Sequence, residues 1–111
     1  MIPNKELLEL AQALKRSAEY TEMMRLRRRV VGHPRYGRQA LFFEREHARL
    51  YNMGLPEAEM ALRIKKLYTD FRDLLQEEEV KRFVESTRIY QKLIMDCIAY
   101  LNRNLEVSRA Y

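Results

Sequence analysis

Apolar residues recur at alternating four- and three-residue steps in two separate stretches of this chain, and that spacing restricts the fold more than any other feature. Tyr36, Ala40, Phe43, His47 and Leu50 form the first series; Met60, Ile64, Leu67, Phe71 and Leu74 repeat it. A half-buried strand alternates with period two, whereas steps of three and four keep side chains on one face of a helix. Gly54-Leu55-Pro56 lies between the two series. Pro56 suits a first helical turn, and Glu57 and Glu59 suit its positive dipole end. Two helices with matching seams and a short connection predict an antiparallel hairpin.

The flanking sequence also reads as helix. Leu7, Leu10, Ala11 and Leu14 mark a first amphipathic helix from about residue 4, with Asn4 as its expected N-cap. Continuing that stripe would place Thr21, Arg25 and Arg28 inside, but the apolar residues are Tyr20, Met23, Met24, Val30 and Val31. The phase jump predicts a break near Ser17, whose hydroxyl can cap the next helix. That second helix should end at Gly32-His33-Pro34, with Gly32 in the left-handed conformation, and the third should run from about Pro34 to Met53. Extending the fourth helix's stripe would bury Glu78, Lys81, Glu85 and Arg88. The apolar set is instead Val80, Phe83, Val84, Tyr90, Ile94, Cys97, Ile98 and Leu101. A second break is therefore expected at Gln76–Glu79, then a long helix to about Asn104, with residues 105–111 fraying.

The reading is an all-α chain: one domain over residues 1–111, an elongated antiparallel hairpin or bundle of about four to five helices. Its core and oligomer seam comprises Tyr36, Phe43, Leu50, Met60, Ile64, Leu67, Phe71, Leu74, Tyr90 and Ile94. An extended hairpin of 111 residues cannot bury all its apolar surface in one copy, so a homo-oligomer, dimer or larger, is expected. Three glycines and three prolines are too few for a β-rich chain of tight turns, and one cysteine excludes an intramolecular disulfide. No apolar run reaches the length of a membrane span and no signal-peptide core follows Met1, so the expected setting is cytoplasmic, with no membrane partner.

Charge is uneven. The net +5 arises in residues 15–49, which hold ten basic against four acidic residues, while residues 50–111 balance at ten and ten. Arg25, Arg27, Arg28 and Arg29 cover more than one face of a helix, and Arg35 and Arg38 follow beyond the turn. This collar is the candidate surface for an anionic partner, RNA or an acidic protein. Against it stands the reading of a solvated helical face.

Catalytic and cofactor patterns are not found. Gly32, Gly37 and Gly54 form neither a P-loop nor a dinucleotide fingerprint, and Ser17, Ser86 and Ser108 lie in no nucleophile elbow. Glu44 and His47 share the Glu-x-x-His spacing of di-iron bundles, but those need two such motifs and two further glutamates; a satisfied histidine at a core edge is the expected role. Cys97 sits on an apolar stripe with Leu93, Ile94, Tyr100 and Leu101 one turn away, a setting for a small hydrophobe rather than an activated thiol. The methionines, Met23, Met24, Met60 and Met95 among them, read as core filling. No catalytic, cofactor or metal site is assigned.

Three stretches carry a family resemblance: Leu10-Ala11-Gln12-Ala13-Leu14-Lys15-Arg16-Ser17-Ala18-Glu19-Tyr20; the turn Gly54-Leu55-Pro56-Glu57-Ala58-Glu59; and Val80-Lys81-Arg82-Phe83-Val84-Glu85-Ser86 with Gln91-Lys92-Leu93-Ile94 beyond. Over roughly residues 5–104 the chain resembles the YlbF/YmcA family of small helical bacterial proteins. The resemblance implies a helical, non-enzymatic, oligomeric protein. Some members of that family act in a regulatory complex affecting competence, sporulation and biofilm formation through a ribonuclease that processes messenger RNA. Complexes of longer members carry iron–sulfur clusters through cysteines. This chain departs there, since its one cysteine, Cys97, lies inside a predicted helix, so neither the cluster nor membership of that complex carries over. No individual functional residue carries over either. The expectation is a regulatory or scaffold protein working through helix-mediated contacts with a protein partner; the alternative is a small nucleic-acid-binding module using the collar.

Overall fold

A computed structural model describes residues 2–105, and every element in that range is helical: α1 (Asn4–Lys15), α2 (Ala18–Val31), α3 (Gly37–Tyr51), α4 (Glu57–Asp70), α5 (Arg72–Leu75) and α6 (Glu78–Leu105). The fold class is all-α, with six helices rather than four to five. The sixth arises because α4 stops at Asp70 and the chain kinks at Phe71 (φ −106°, ψ 24°) before one further turn, α5. Neither Gly nor Pro marks this kink. Of the segment expected to fray, residues 106–111 lie outside the described residues; Leu105 is the last residue of α6.

Ser17 sits at the first break. Its Oγ accepts a bond from the Tyr20 N–H (3.1 Å) and donates to the Leu14 carbonyl (2.6 Å). One hydroxyl thus adds a second bond to the Leu14 carbonyl, which also accepts the Ser17 N–H at 3.1 Å, and satisfies an orphan donor at the start of α2. Asn4 does not cap α1. The helix begins one residue earlier, with the Pro3 carbonyl accepting from Leu7 N–H at 3.0 Å, so Asn4 is already helical and no side chain caps that end.

The turn after α2 also differs from expectation. Gly32 keeps an ordinary backbone; the glycine with positive φ is Gly54, at 67°. The Gly32 N–H still bonds the Arg28 carbonyl (3.0 Å) and the His33 N–H bonds that of Val30 (3.2 Å), so α2 ends by tightening rather than by a left-handed residue. Residues 34–36 form a turn and α3 starts at Gly37, not Pro34. Gly37 is needed there for proximity: a Cβ would lie 2.2 Å from the Val31 carbonyl oxygen.

The chain divides into two compact units, residues 1–25 with 84–111, and residues 26–83; α2 and α6 contribute to both. The second unit holds a core of Val30, Tyr36, Ala40, Leu74 and Val80, edged by Phe43, Phe71, Leu75 and Phe83. Leu26, Leu50 and Leu67 are also buried there. The aromatic rings interlock at its edge: Phe43 meets Phe71 at 5.4 Å and Tyr68 at 5.6 Å, both edge-on, the preferred arrangement of ring quadrupoles. In the first unit Tyr20 meets Tyr90 edge-on at 5.3 Å, and Ser86 is buried. No residue of α1 is buried.

Candidate functional site

The six arginines of the collar do not share one fate. Arg25, in the first unit, is held by Glu22 one turn earlier (Nε–Oε2 3.0 Å, Nη2–Oε1 2.6 Å). The hydrogen bond and the opposite charge push the Glu22 pKa down and that of Arg25 up. In the second unit Arg27 grips Glu44 of α3 with two bonds, at 2.8 and 2.7 Å. Arg29 reaches Glu79 and Arg35 reaches Glu77, each at 2.9 Å. Arg35 also lies over the Tyr36 ring, 5.3 Å from its centroid. Its hydrogen bond to Glu77 raises the arginine's pKa and lowers the carboxylate's. Arg28 and Arg38 are exposed and have no acidic partner among the described residues.

The turn between α2 and α3 arranges the second unit's pairs. His33 Nδ1 accepts the Arg35 N–H at 3.1 Å, and the His33 ring stacks on Tyr36 at 3.9 Å with planes 4° apart. Tyr36 is buried in the core and burial raises its pKa, so its ring is a fixed base for the stack. Arg29 and Arg35 flank this turn and both reach glutamates at the junction of α5 and α6.

Glu44 and His47 do not converge on a common centre. The Glu44 carboxylate is occupied by Arg27, while His47 lies among aromatic rings: Tyr51 at 4.8 Å, Phe43 at 5.9 Å and Tyr68 at 6.2 Å. Burial lowers its pKa, favouring the neutral ring. Among the described residues no group of three or more His, Cys, Asp or Glu side chains could hold a metal ion. An open groove of about 620 Å³ runs along α4, lined by Ala61, Ile64, Lys65, Tyr68, Thr69 and Arg72.

Of the seam residues, Tyr36, Leu50, Leu67 and Leu74 are buried, while Phe43, Met60, Ile64 and Phe71 are half-buried, all in the second unit. Tyr90 and Ile94, half-buried, belong to the first. The α6 stripe needs correction: Val84, Ile98 and Leu101 are exposed rather than inside, and Ser86 takes a buried position that hydropathy alone would not assign. Leu26 is buried as well, although Arg25, Arg27, Arg28 and Arg29 surround it in the sequence. The partners Glu44, Glu77 and Glu79 could not be found by spacing, since they lie 17, 42 and 50 residues from their arginines. Of the collar's ion pairs among the described residues, Glu22–Arg25 alone has a readable helical offset.

No protein-family model, curated protein or solved structure matches the chain. No described helix is long and apolar enough to cross a membrane.

Proposed function

We propose that this chain is a non-enzymatic cytoplasmic scaffold or regulatory protein that acts through helix-mediated contacts, with itself and with a protein partner. In this reading α3 and α4 form an antiparallel hairpin, and the YlbF/YmcA resemblance ties the protein to bacterial developmental or RNA-processing regulation. The observation that carries the reading is the engagement of the collar. Four of its six arginines already hold carboxylates of the same chain. A surface built for nucleic acid converges unpaired cations on the phosphate path. Here Arg27 ties α2 to α3, Arg29 ties α2 to α6, and Arg35 ties the α2–α3 turn to the α5–α6 junction instead.

Arg28 and Arg38, exposed and without acidic partners among the described residues, favour the second reading, in which the collar binds RNA or DNA. Affinity capture of the tagged protein from its native cell, with and without nuclease, separates the two. A scaffold retains its protein partner after nuclease; a nucleic-acid module loses its cargo. As a direct check, single-stranded RNA titrated at physiological salt should bind only weakly. A sub-micromolar complex, abolished by Arg28→Ala with Arg29→Ala for every RNA sequence alike, would reverse the ranking.

A further inference from the structure

Two apolar stripes in the first unit are left open. On α1, Leu7, Leu10 and Leu14 step by three and four; Leu7 is 48% and Leu10 38% exposed. On α6, Tyr90, Ile94 and Cys97 are half-buried, but beyond them Ile98, Leu101 and Leu105 are 44%, 45% and 66% exposed. The open stretch of α6, residues 95–105, is about 16 Å long, and the 12 residues of α1 span about 18 Å. The same chain thus carries two uncovered helical stripes of matching length and matching period.

We propose that a second copy of the chain covers both: α1 of each protomer lies along residues 95–105 of the other's α6, in a reciprocal two-fold exchange. The inference rests on the self-association in the scaffold reading and names the surface that performs it. Area supports it. At their exposed fractions Leu7, Leu10, Ile98, Leu101 and Leu105 together leave about 430 Å² of apolar surface open per copy. With the apolar share typical of homodimers this gives about 660 Å² per protomer, inside the roughly 600–1,000 Å² per partner of standard specific interfaces. Symmetry supports it as well. A two-fold exchange uses every stripe once, whereas an open head-to-tail chain leaves one of each bare at its ends. Covering this stripe buries no charge, because Asp96 and Arg103, the charged residues of the stretch, lie on the face of α6 opposite Ile98, Leu101 and Leu105.

Light scattering on the full chain at micromolar concentration tests the exchange. The wild type should show twice the 13.4 kDa chain mass. Leu10→Asp and Leu101→Asp should each give the single mass with helical circular dichroism retained, because neither side chain is buried in one copy. Cross-linking gives an independent readout in a Cys97→Ser background. Chains carrying Leu10→Cys mixed with chains carrying Leu101→Cys should form a mixed disulfide on oxidation, and far less when each is oxidised alone; this decides the matter if the Asp variants unfold. A monomeric wild type overturns the exchange together with self-association. A dimeric wild type without the mixed disulfide, or one whose mass survives both Asp changes, overturns this surface and leaves self-association standing. A larger multiple of the chain mass overturns the closed two-fold arrangement.

Discussion

Arg27 and Glu44 face each other in a two-pronged contact, Nε to Oε2 at 2.8 Å and Nη2 to Oε1 at 2.7 Å, that ties α2 to α3. Both side chains remain about one-third exposed, so solvent screens the pair despite its geometry. Arg27→Ala and Glu44→Ala should each lower stability by no more than about 1 kcal/mol, with a coupling of roughly 0.2–1 kcal/mol in the double-mutant cycle. Urea titration of the four proteins measures it. A coupling near zero would mean that the pair orients the helices without stabilising them.

Gly37 and Gly54 should respond differently to alanine. At Gly37 the new Cβ meets the Val31 carbonyl oxygen at 2.2 Å and its carbon at 2.9 Å, backbone atoms that move only if the ends of α2 and α3 part. A loss on the order of 2 kcal/mol or more is expected. At Gly54 nothing lies within 4 Å, and the cost comes from the positive φ alone, about 1 kcal/mol. Thermal midpoints of the two variants should rank in that order.

A buried carboxylate tests the core of the second unit. Leu74 is 3% exposed between Val30, Tyr36 and Val80, and Leu67 is 8% exposed. Leu74→Asp or Leu67→Asp places an unpaired charge there at several kcal/mol, comparable with the whole stability of a small domain. Both should unfold the second unit, seen as loss of helical circular dichroism. Phe71→Asp, at a half-buried position, should cost less.

His47 makes stability fall as the solution is acidified. Burial among Phe43, Tyr51 and Tyr68 lowers its pKa in the fold below the value near 6.5 of the unfolded chain. As pH drops through that value the unfolded state binds the greater share of protons, so the unfolding free energy declines until the folded pKa is passed. The carboxylates of Glu22, Glu46, Glu77 and Glu85, each lowered first by a hydrogen bond from an arginine, add a second decline beginning near pH 4.5. Between pH 7.5 and 5.5 the thermal midpoint of the wild type should fall further than that of His47→Gln. Equal slopes would show that His47 titrates alike in both states.

Periodicity alone was enough for the all-α class and for the breaks near Ser17 and Gln76–Glu79, because a helix can bury only one face and a change of phase in the apolar stripe forces the chain to turn. Ser17 was legible as a cap for the same local reason: its hydroxyl acts within three residues. The kink at Phe71 was not legible, since Leu67, Phe71 and Leu74 keep perfect helical spacing across it. Nor was the ordinary backbone of Gly32, whose conformation depends on how the chain leaves α2 rather than on the absence of a Cβ. The collar shows the division most clearly. Spacing placed Arg27, Arg29 and Arg35 near one another, but which carboxylates they meet was decided by packing α2 against α3 and against the α5–α6 junction, over separations of 17 to 50 residues. The same holds for the apolar stripes. Sequence marks Leu10 and Leu101 as wanting cover by their hydropathy and period; only the arrangement of the helices shows that one copy leaves both exposed, because burial is a property of neighbours and local sequence encodes only the preference for it.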